Sequence, residues 1–144
     1  MKIQLKKLRP DAIVPTSGSQ FAAGYDLYAC MDAPVSIAPH TTALIGTGLA
    51  IAIPEGYFGA VFARSGLSTK QGLRPANCVG VCDSDYRGEY TTPLYNDSDE
   101  FRVVSPGDRI AQLVVLPYLP AEFELTDSLP ETERGAGGFG STGK

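Results

Sequence analysis

Histidine, paired cysteine, excess positive charge and long apolar runs are all scarce in this chain, and each shortage closes a class of function. The only histidine is His40, directly after Pro39, where it reads as a surface turn residue. One histidine leaves no Ser–His–Asp hydrolase triad and no His-based metal cluster. The three cysteines, Cys30, Cys78 and Cys82, form no CxxC pair and are odd in number. That excludes a zinc ribbon or a disulfide framework and predicts free, mostly buried thiols in a reducing compartment. The net charge is −4, the wrong sign for a protein that grips nucleic acid by neutralising phosphates. A free nucleotide needs only a few well-placed arginines and stays open. No segment approaches the ~18 apolar residues of a membrane span, and Met1 to Pro10 alternates apolar and basic residues instead of forming a signal peptide. The expectation is a cytoplasmic protein without membrane or nucleic-acid partners.

What is abundant is turn chemistry. The 144 residues carry 16 glycines and 11 prolines, enough to divide one domain into many short strands. Strand patterns cover Lys2–Leu8, Tyr25–Cys30, Val35–Ile37, Ala43–Ile53, Tyr57–Ala63, Val79–Cys82, Glu89–Tyr95, Phe101–Val104, Arg109–Leu116 and Glu122–Leu125. Pro54-Glu55-Gly56 reads as a hairpin turn between two of them. The only helix pattern is brief, Ser65 to Gln71. Close-spaced short strands predict an all-β sandwich or barrel. After Pro130 the composition changes. Residues 131–144 hold five glycines and one large apolar side chain, Phe139, too little to fold alone. A body over residues 1–128 and a mobile arm over 129–144 follow.

Five stretches carry chemistry. Gly80-Val81-Cys82-Asp83-Ser84-Asp85-Tyr86-Arg87-Gly88-Glu89 sets two carboxylates, a ring and an arginine between glycines. A bare turn needs Asp and Gly but not Tyr-Arg; a site that holds a planar ring and works on an anion would use all of them. Ala63-Arg64-Ser65-Gly66-Leu67 puts a cation and a hydroxyl at a helix start, which is either an anion site or a capped surface helix. Gly107-Asp108-Arg109-Ile110-Ala111-Gln112-Leu113 carries polar groups in an apolar strand. Arg109 there predicts an internal carboxylate partner, with Asp26 in Gly24-Tyr25-Asp26-Leu27 as the candidate, while Gln112 could face ligand or water; Asp26, in an otherwise apolar run, calls for either a cation partner or a metal-bound water. Finally, Arg134 to Gly143 places a cation, the Phe139 ring and the Ser141 and Thr142 hydroxyls on glycine-rich backbone. Composition alone makes that a disordered tail; the ring beside the guanidinium suits a lid that orders over a base and a phosphate.

Taken in order, these five segments resemble the five motifs of the trimeric dUTPases, with Asn77 through Gly88 as the third. The resemblance spans nearly the whole chain. It implies a β jelly roll that forms a homotrimer, with active sites shared between subunits and closed by the C-terminal arm. The implied reaction turns dUTP and water into dUMP and pyrophosphate, which supplies dUMP for thymidylate synthesis and keeps uracil out of DNA. Asp83 would be the general base that activates water. Asn77 and the backbone after it, Gly80 included, would read the uracil edge, and Tyr86 would pack on the deoxyribose. Arg64, Ser65 and Gly66 would hold phosphates, with Gln112 on phosphate or its waters. Arg134, Ser141 and Thr142 would take the terminal phosphate, Gly140 would line the substrate, and Phe139 would stack on the base. Asp26 and Arg109 would support the site from behind. The implied cofactor is Mg²⁺, held through substrate phosphates and water with no direct protein ligand. Two departures stand out: Cys82, where the family usually has an aliphatic residue, and the bulky Tyr25. The rival readings are a dCTP deaminase or bifunctional enzyme of the same fold, and a nucleotide-switched protein that binds a regulator.

Overall fold

The computed structural model describes residues 1–138; Phe139, Gly140, Ser141 and Thr142 lie outside the described residues. Twelve strands and one short helix make up its regular structure. They run β1 (Gln4–Lys7), β2 (Thr16–Ser17), β3 (Tyr25–Tyr28), β4 (Val35–Ile37), β5 (Thr42–Gly46), β6 (Leu49–Ala52) and β7 (Tyr57–Phe62). Then come α1 (Ser65–Gln71), β8 (Leu73–Pro75), β9 (Val79–Cys82), β10 (Thr91–Asn96), β11 (Arg102–Val104) and β12 (Arg109–Pro117). Among the described residues, no helix is long and apolar enough to cross a membrane.

All strand pairing is antiparallel, mostly between strands distant in sequence, which is a jelly-roll arrangement. One sheet has the order β2-β3-β12-β7-β9; smaller ones are β5-β10-β8, β1-β6 and β4-β11. Side chains alternate in and out along the strands. On β12, Ile110 and Leu113 are buried while Arg109 is exposed, and a register shift between Arg109 and Ala111 bends the strand there. The inward residues form two cores. One gathers Leu27, Leu49, Ile51, Val61, Tyr90 and Leu113; the other gathers Ile37, Ile45, Leu73, Leu94 and Ile110. Cutting a fully buried leucine such as Leu94 to alanine would cost about 2–5 kcal/mol.

The sequence pattern misplaced several elements. The apolar run from Ala43 to Ile53 is two strands, because Gly48 takes a φ of +66° and turns the chain at Thr47-Gly48. Pro54-Glu55-Gly56 closes no hairpin. A hydrogen-bonded turn does sit there, from Tyr57 N to Pro54 O at 3.2 Å, but β6 pairs with β1 while β7 pairs with β12 and β9. The turn carries the chain from one sheet to another, which pattern cannot distinguish from a hairpin. Glu122–Leu125 forms no strand; Phe123 and Leu125 are almost fully exposed, with no neighbouring strand to pair them. Short strands β2 and β8 carry too few residues for a periodic signal.

Candidate active site

The five-stranded sheet places distant motifs side by side. Gln112 of β12 lies opposite Asp26 of β3 on one side and Phe62 of β7 on the other. Arg64 follows two residues after Phe62, so three of the segments converge at this end of the sheet. Asp26 is its hub. Its Oδ1 accepts from Arg64 Nε at 2.7 Å, and its Oδ2 accepts from Arg109 Nη1 at 3.3 Å. The expected Asp26–Arg109 pair is therefore present, but it is the looser of two contacts, and the Arg109 side chain is 53% exposed, not enclosed in the fold. Asp26 itself is only 15% exposed, a carboxylate that takes cations from two elements. Gln112 donates from Nε2 to Ala63 O at 2.8 Å and fixes the backbone just before Arg64. A Cβ on Gly24 would come within 2.5 Å of Gln112 Oε1, so the amide lies where only glycine leaves room. Ser65 and Gly66 open α1 exposed to solvent, with Arg64 as the N-cap and no side-chain cap bond. These residues line a pocket of about 690 Å³ with Lys70.

The other candidate residues meet elsewhere. β9 runs into a turn in which Tyr86 N donates to Asp83 O at 3.2 Å. Arg87 Nη1 donates to the carbonyls of Ser84 at 2.7 Å and Tyr86 at 2.9 Å, so this arginine braces the turn instead of standing ready for an anion. Upstream, Asn77 sits in a tight reversal at Cys78, whose φ is +61°, and Val79 N donates to Asn77 O at 2.6 Å. A Cβ on Gly80 would lie 3.2 Å from Val61 Cβ and 3.5 Å from Asn77 Nδ2. Asn77, Gly80, Asp83, Tyr86 and Tyr90 line a pocket of about 260 Å³. Asp83 also faces an open groove of about 1290 Å³ that contains Lys2, Glu55 and Tyr118.

Beneath that pocket Tyr90 is buried, and its hydroxyl has no hydrogen-bond partner among the described residues. Its ring lies 6.1 Å from that of Tyr86, tilted by 50°. Burial pushes the Tyr90 phenol well above its ordinary range and also raises the neighbouring Cys82 thiol. Cys82 packs against the first core as a small apolar residue would. Cys30 is buried, but Cys78 is exposed, so the thiols are not uniformly internal; Cys78 occupies a turn that cannot fold inward.

The two pockets share no residue. Cys82 pairs with Gly59, and Arg64 lies five residues further along β7 and its extension. Arg134 joins neither pocket. It stands exposed in a turn, with its Nε donating to Gly137 O at 2.8 Å. Pattern reading also overlooked Thr47 and the work done by Glu89. Gly48 N donates to Glu89 Oε1 at 2.7 Å, and Thr47 Oγ1 donates to Tyr90 O at 2.7 Å. Glu89 stood in plain view beside the turn; Thr47 left no local signal, because its partner is 43 residues away.

Comparison with known proteins agrees with this geometry. The sequence model of the dUTPase family matches residues 10–143. A deoxyuridine 5'-triphosphate nucleotidohydrolase of Desulfitobacterium hafniense is 50% identical over 146 residues, covering 99% of this chain and 97% of that protein. A solved structure of a mutant dUTPase of Staphylococcus bacteriophage 80alpha with dUpNHpp superposes with a TM-score of 0.86 at 30% identity, covering 99% of both chains. A mutant dUTPase from phage phi11 of S. aureus, described with a structural Mg(II) ion, superposes with a TM-score of 0.78 at 27% identity over 89% of this chain and 98% of that one. With a family match over nearly its full length and relatives at half identity, the chain belongs to the dUTPase family.

Proposed function

We propose that this protein hydrolyses dUTP to dUMP and pyrophosphate by attack of water at the α-phosphate. The observation that carries the reading is the single pocket that gathers Asn77, Gly80, Asp83 and Tyr86 at the end of β9. An ionised carboxylate beside a water can take its proton as that water attacks; in this reading Asp83, which lines the pocket, has that role. Asn77 and the β9 backbone read the base edge. Uracil offers an acceptor at position 4 and a donor at N3, and cytosine reverses both. A backbone matched to one leaves buried groups unpaired with the other, at a cost of ~1–3 kcal/mol per group. Tyr86 packs on the sugar where a 2′-hydroxyl would need space.

Negative charge grows on the phosphate oxygens and on the leaving pyrophosphate. Arg64 suits them: among the described residues it engages Asp26 only through Nε, and its terminal nitrogens make no hydrogen bond. Ser65, Gly66 and Gln112 lie beside it. Arg134 and the following arm, Phe139 and Thr142 included, close the site and exclude bulk water. The local chemistry suits Mg²⁺ carried in on the phosphates, because the carboxylate nearest Arg64, Asp26, already has both oxygens engaged by arginines. When bound, the ion neutralises phosphate charge as a Lewis acid.

Asp83 and Arg64 line pockets that share no residue within one chain, which supports a site completed by a second copy, in a homotrimer. A cytoplasmic location fits the reducing compartment that unpaired cysteines prefer. The test is a pyrophosphate-release panel over dUTP, dCTP, dTTP and UTP with Mg²⁺. Strong preference for dUTP is expected. Comparable turnover of dCTP, or release of ammonia from it, would overturn the reading.

A further inference from the structure

Tyr86 is 43% exposed, so packing alone does not hold its ring. Its hydroxyl donates to Glu89 O at 3.0 Å. The ring lies so close to Gly88 that any Cβ there would collide with the hydroxyl and the ring edge. The position of the ring is therefore set by the position of the Gly88–Tyr90 backbone, and the question becomes what fixes that backbone.

The answer lies in the turn between β5 and β6. Tyr90 N donates to Leu49 O at 2.8 Å, and Tyr90 O accepts from Thr47 N at 3.1 Å and from Thr47 Oγ1 at 2.7 Å. Glu89 adds a carboxylate: its Oε1 accepts from Gly48 N at 2.7 Å. The turn is shaped to receive that carboxylate. A Cβ on Gly46 would strike Glu89 Oε1, and one on Gly48 would lie 2.8 Å from Cys30 Sγ and 2.9 Å from Ala12 Cβ. The missing side chain at Gly46 leaves the notch that the carboxylate enters, while the face of Gly48 is closed by Cys30 and Ala12. A partly buried carboxylate loses hydration unless its partners replace it, so an ionisable group in this notch is an expensive way to fill space and an effective way to fix a strand.

We propose that Glu89 is a positioning residue that sets discrimination against the 2′-hydroxyl, acting through the Glu89 carbonyl and Gly88 on the Tyr86 ring. The proposal rests on the dUTP reading above. A ribonucleotide differs from its deoxy form by one oxygen, and a shift of about 1 Å in a group that faces substrate is enough to change rates markedly. Freed from the notch, the return strand relaxes outward and the ring moves with it, which admits UTP.

The experiment compares kcat/KM for dUTP and UTP in the wild type, Glu89→Ala, Glu89→Gln and Gly88→Ala. Loss of a charge-assisted bond in Glu89→Ala should lower the dUTP-to-UTP ratio by roughly tenfold. Glu89→Gln retains an acceptor oxygen and should restore most of the ratio. Gly88→Ala pushes the ring directly and should lower the ratio with the notch intact. A second readout does not depend on turnover: the Tyr86 ring resonances of tyrosine-labelled protein, assigned with Tyr86→Phe. They should shift and broaden in Glu89→Ala but not in Glu89→Gln. If Glu89→Ala folds and lowers both substrates in proportion, or leaves the Tyr86 resonances unchanged, the proposal is overturned. A wild type that prefers UTP or dCTP would defeat the dUTP reading instead, and the ring resonances would still decide whether Glu89 positions Tyr86.

Discussion

The pocket at the end of β9 and the pocket around Asp26 are built in opposite ways. The first is local. Asp83, Tyr86, Arg87 and Glu89 lie within seven residues and are joined by short-range bonds, Tyr86 to Asp83, Arg87 to Ser84 and Tyr86 to Glu89, while Glu89 and Tyr90 anchor the end of the turn to Gly48 and Thr47. The second is assembled from afar. Asp26, Arg64 and Arg109 sit on three elements, and ion pairs join them across 38 and 83 residues of sequence. A local turn is set by the conformational preferences of its own residues. A distant ion pair exists only if strand register delivers its members to one row. Under the proposed function, the first pocket would serve as a preset shape for a planar base and a sugar. The second is a set of charges neutralised internally by Asp26, which the proposed function would turn toward phosphates.

Three experiments would break or sharpen this contrast. The largest effect should come from Asp83→Asn. It keeps the shape of the local pocket and removes its base, so dUTP binding should survive while turnover falls by about 10²–10⁴-fold. Pyrophosphate release beside a binding titration checks this, and near-normal release would remove Asp83 from its role. Next, Asp83→Asn copies mixed with Arg64→Ala copies should recover activity that neither has alone. If each site takes one pocket from each of two chains, random mixing in a symmetric oligomer restores about a quarter of the sites. No recovery after subunit exchange would mean that both pockets serve a site within one chain.

The smallest effect concerns the thiols around the local pocket. Burial raises the Cys30 and Cys82 thiols, so each stays protonated, and unreactive, to higher pH than an ordinary cysteine. Cys78 is exposed. A thiol reagent at pH 8 should label Cys78 first, and the other two should follow only as pH rises further or the protein unfolds. Mass mapping of the labelled peptides reads the order; prompt labelling of Cys82 would show that the strand beneath Tyr86 opens readily.

The contrast also explains what could be read without coordinates. The helix from Ser65 to Gln71 and the turn after β9 were legible, because their residue types act over one turn of chain. The pairing of Asp26 with Arg109 was anticipated from the cost of leaving an arginine unpaired in an apolar strand. The tighter Arg64 contact was not, since nothing near Arg64 shows that β3 and β7 flank the same strand. The run from Ala43 to Ile53 hid its break at Gly48. Glycine permits a positive φ but does not require it; here Cys30 and Ala12 close the face where a side chain would stand, and Gly48 N bonds Glu89, 41 residues away. The expected hairpin at Pro54-Glu55-Gly56 failed for a related reason. A turn reverses the chain, but the strand partner is chosen by apolar faces elsewhere.

The sequence alone determined the all-β class and the residues of the turn after β9, because short alternating runs and Asp/Gly turn chemistry are properties of neighbouring residues. Only the tertiary structure decided that Arg64 holds Asp26 more tightly than Arg109 does, that Gln112 fixes the backbone before Arg64, that Arg87 braces a turn, and that Thr47 and Glu89 lock the strand behind Tyr86. Those facts depend on which backbone groups pair across the sheets. Pairing is a compromise among all the apolar faces of the chain at once, and no short stretch of it carries the answer.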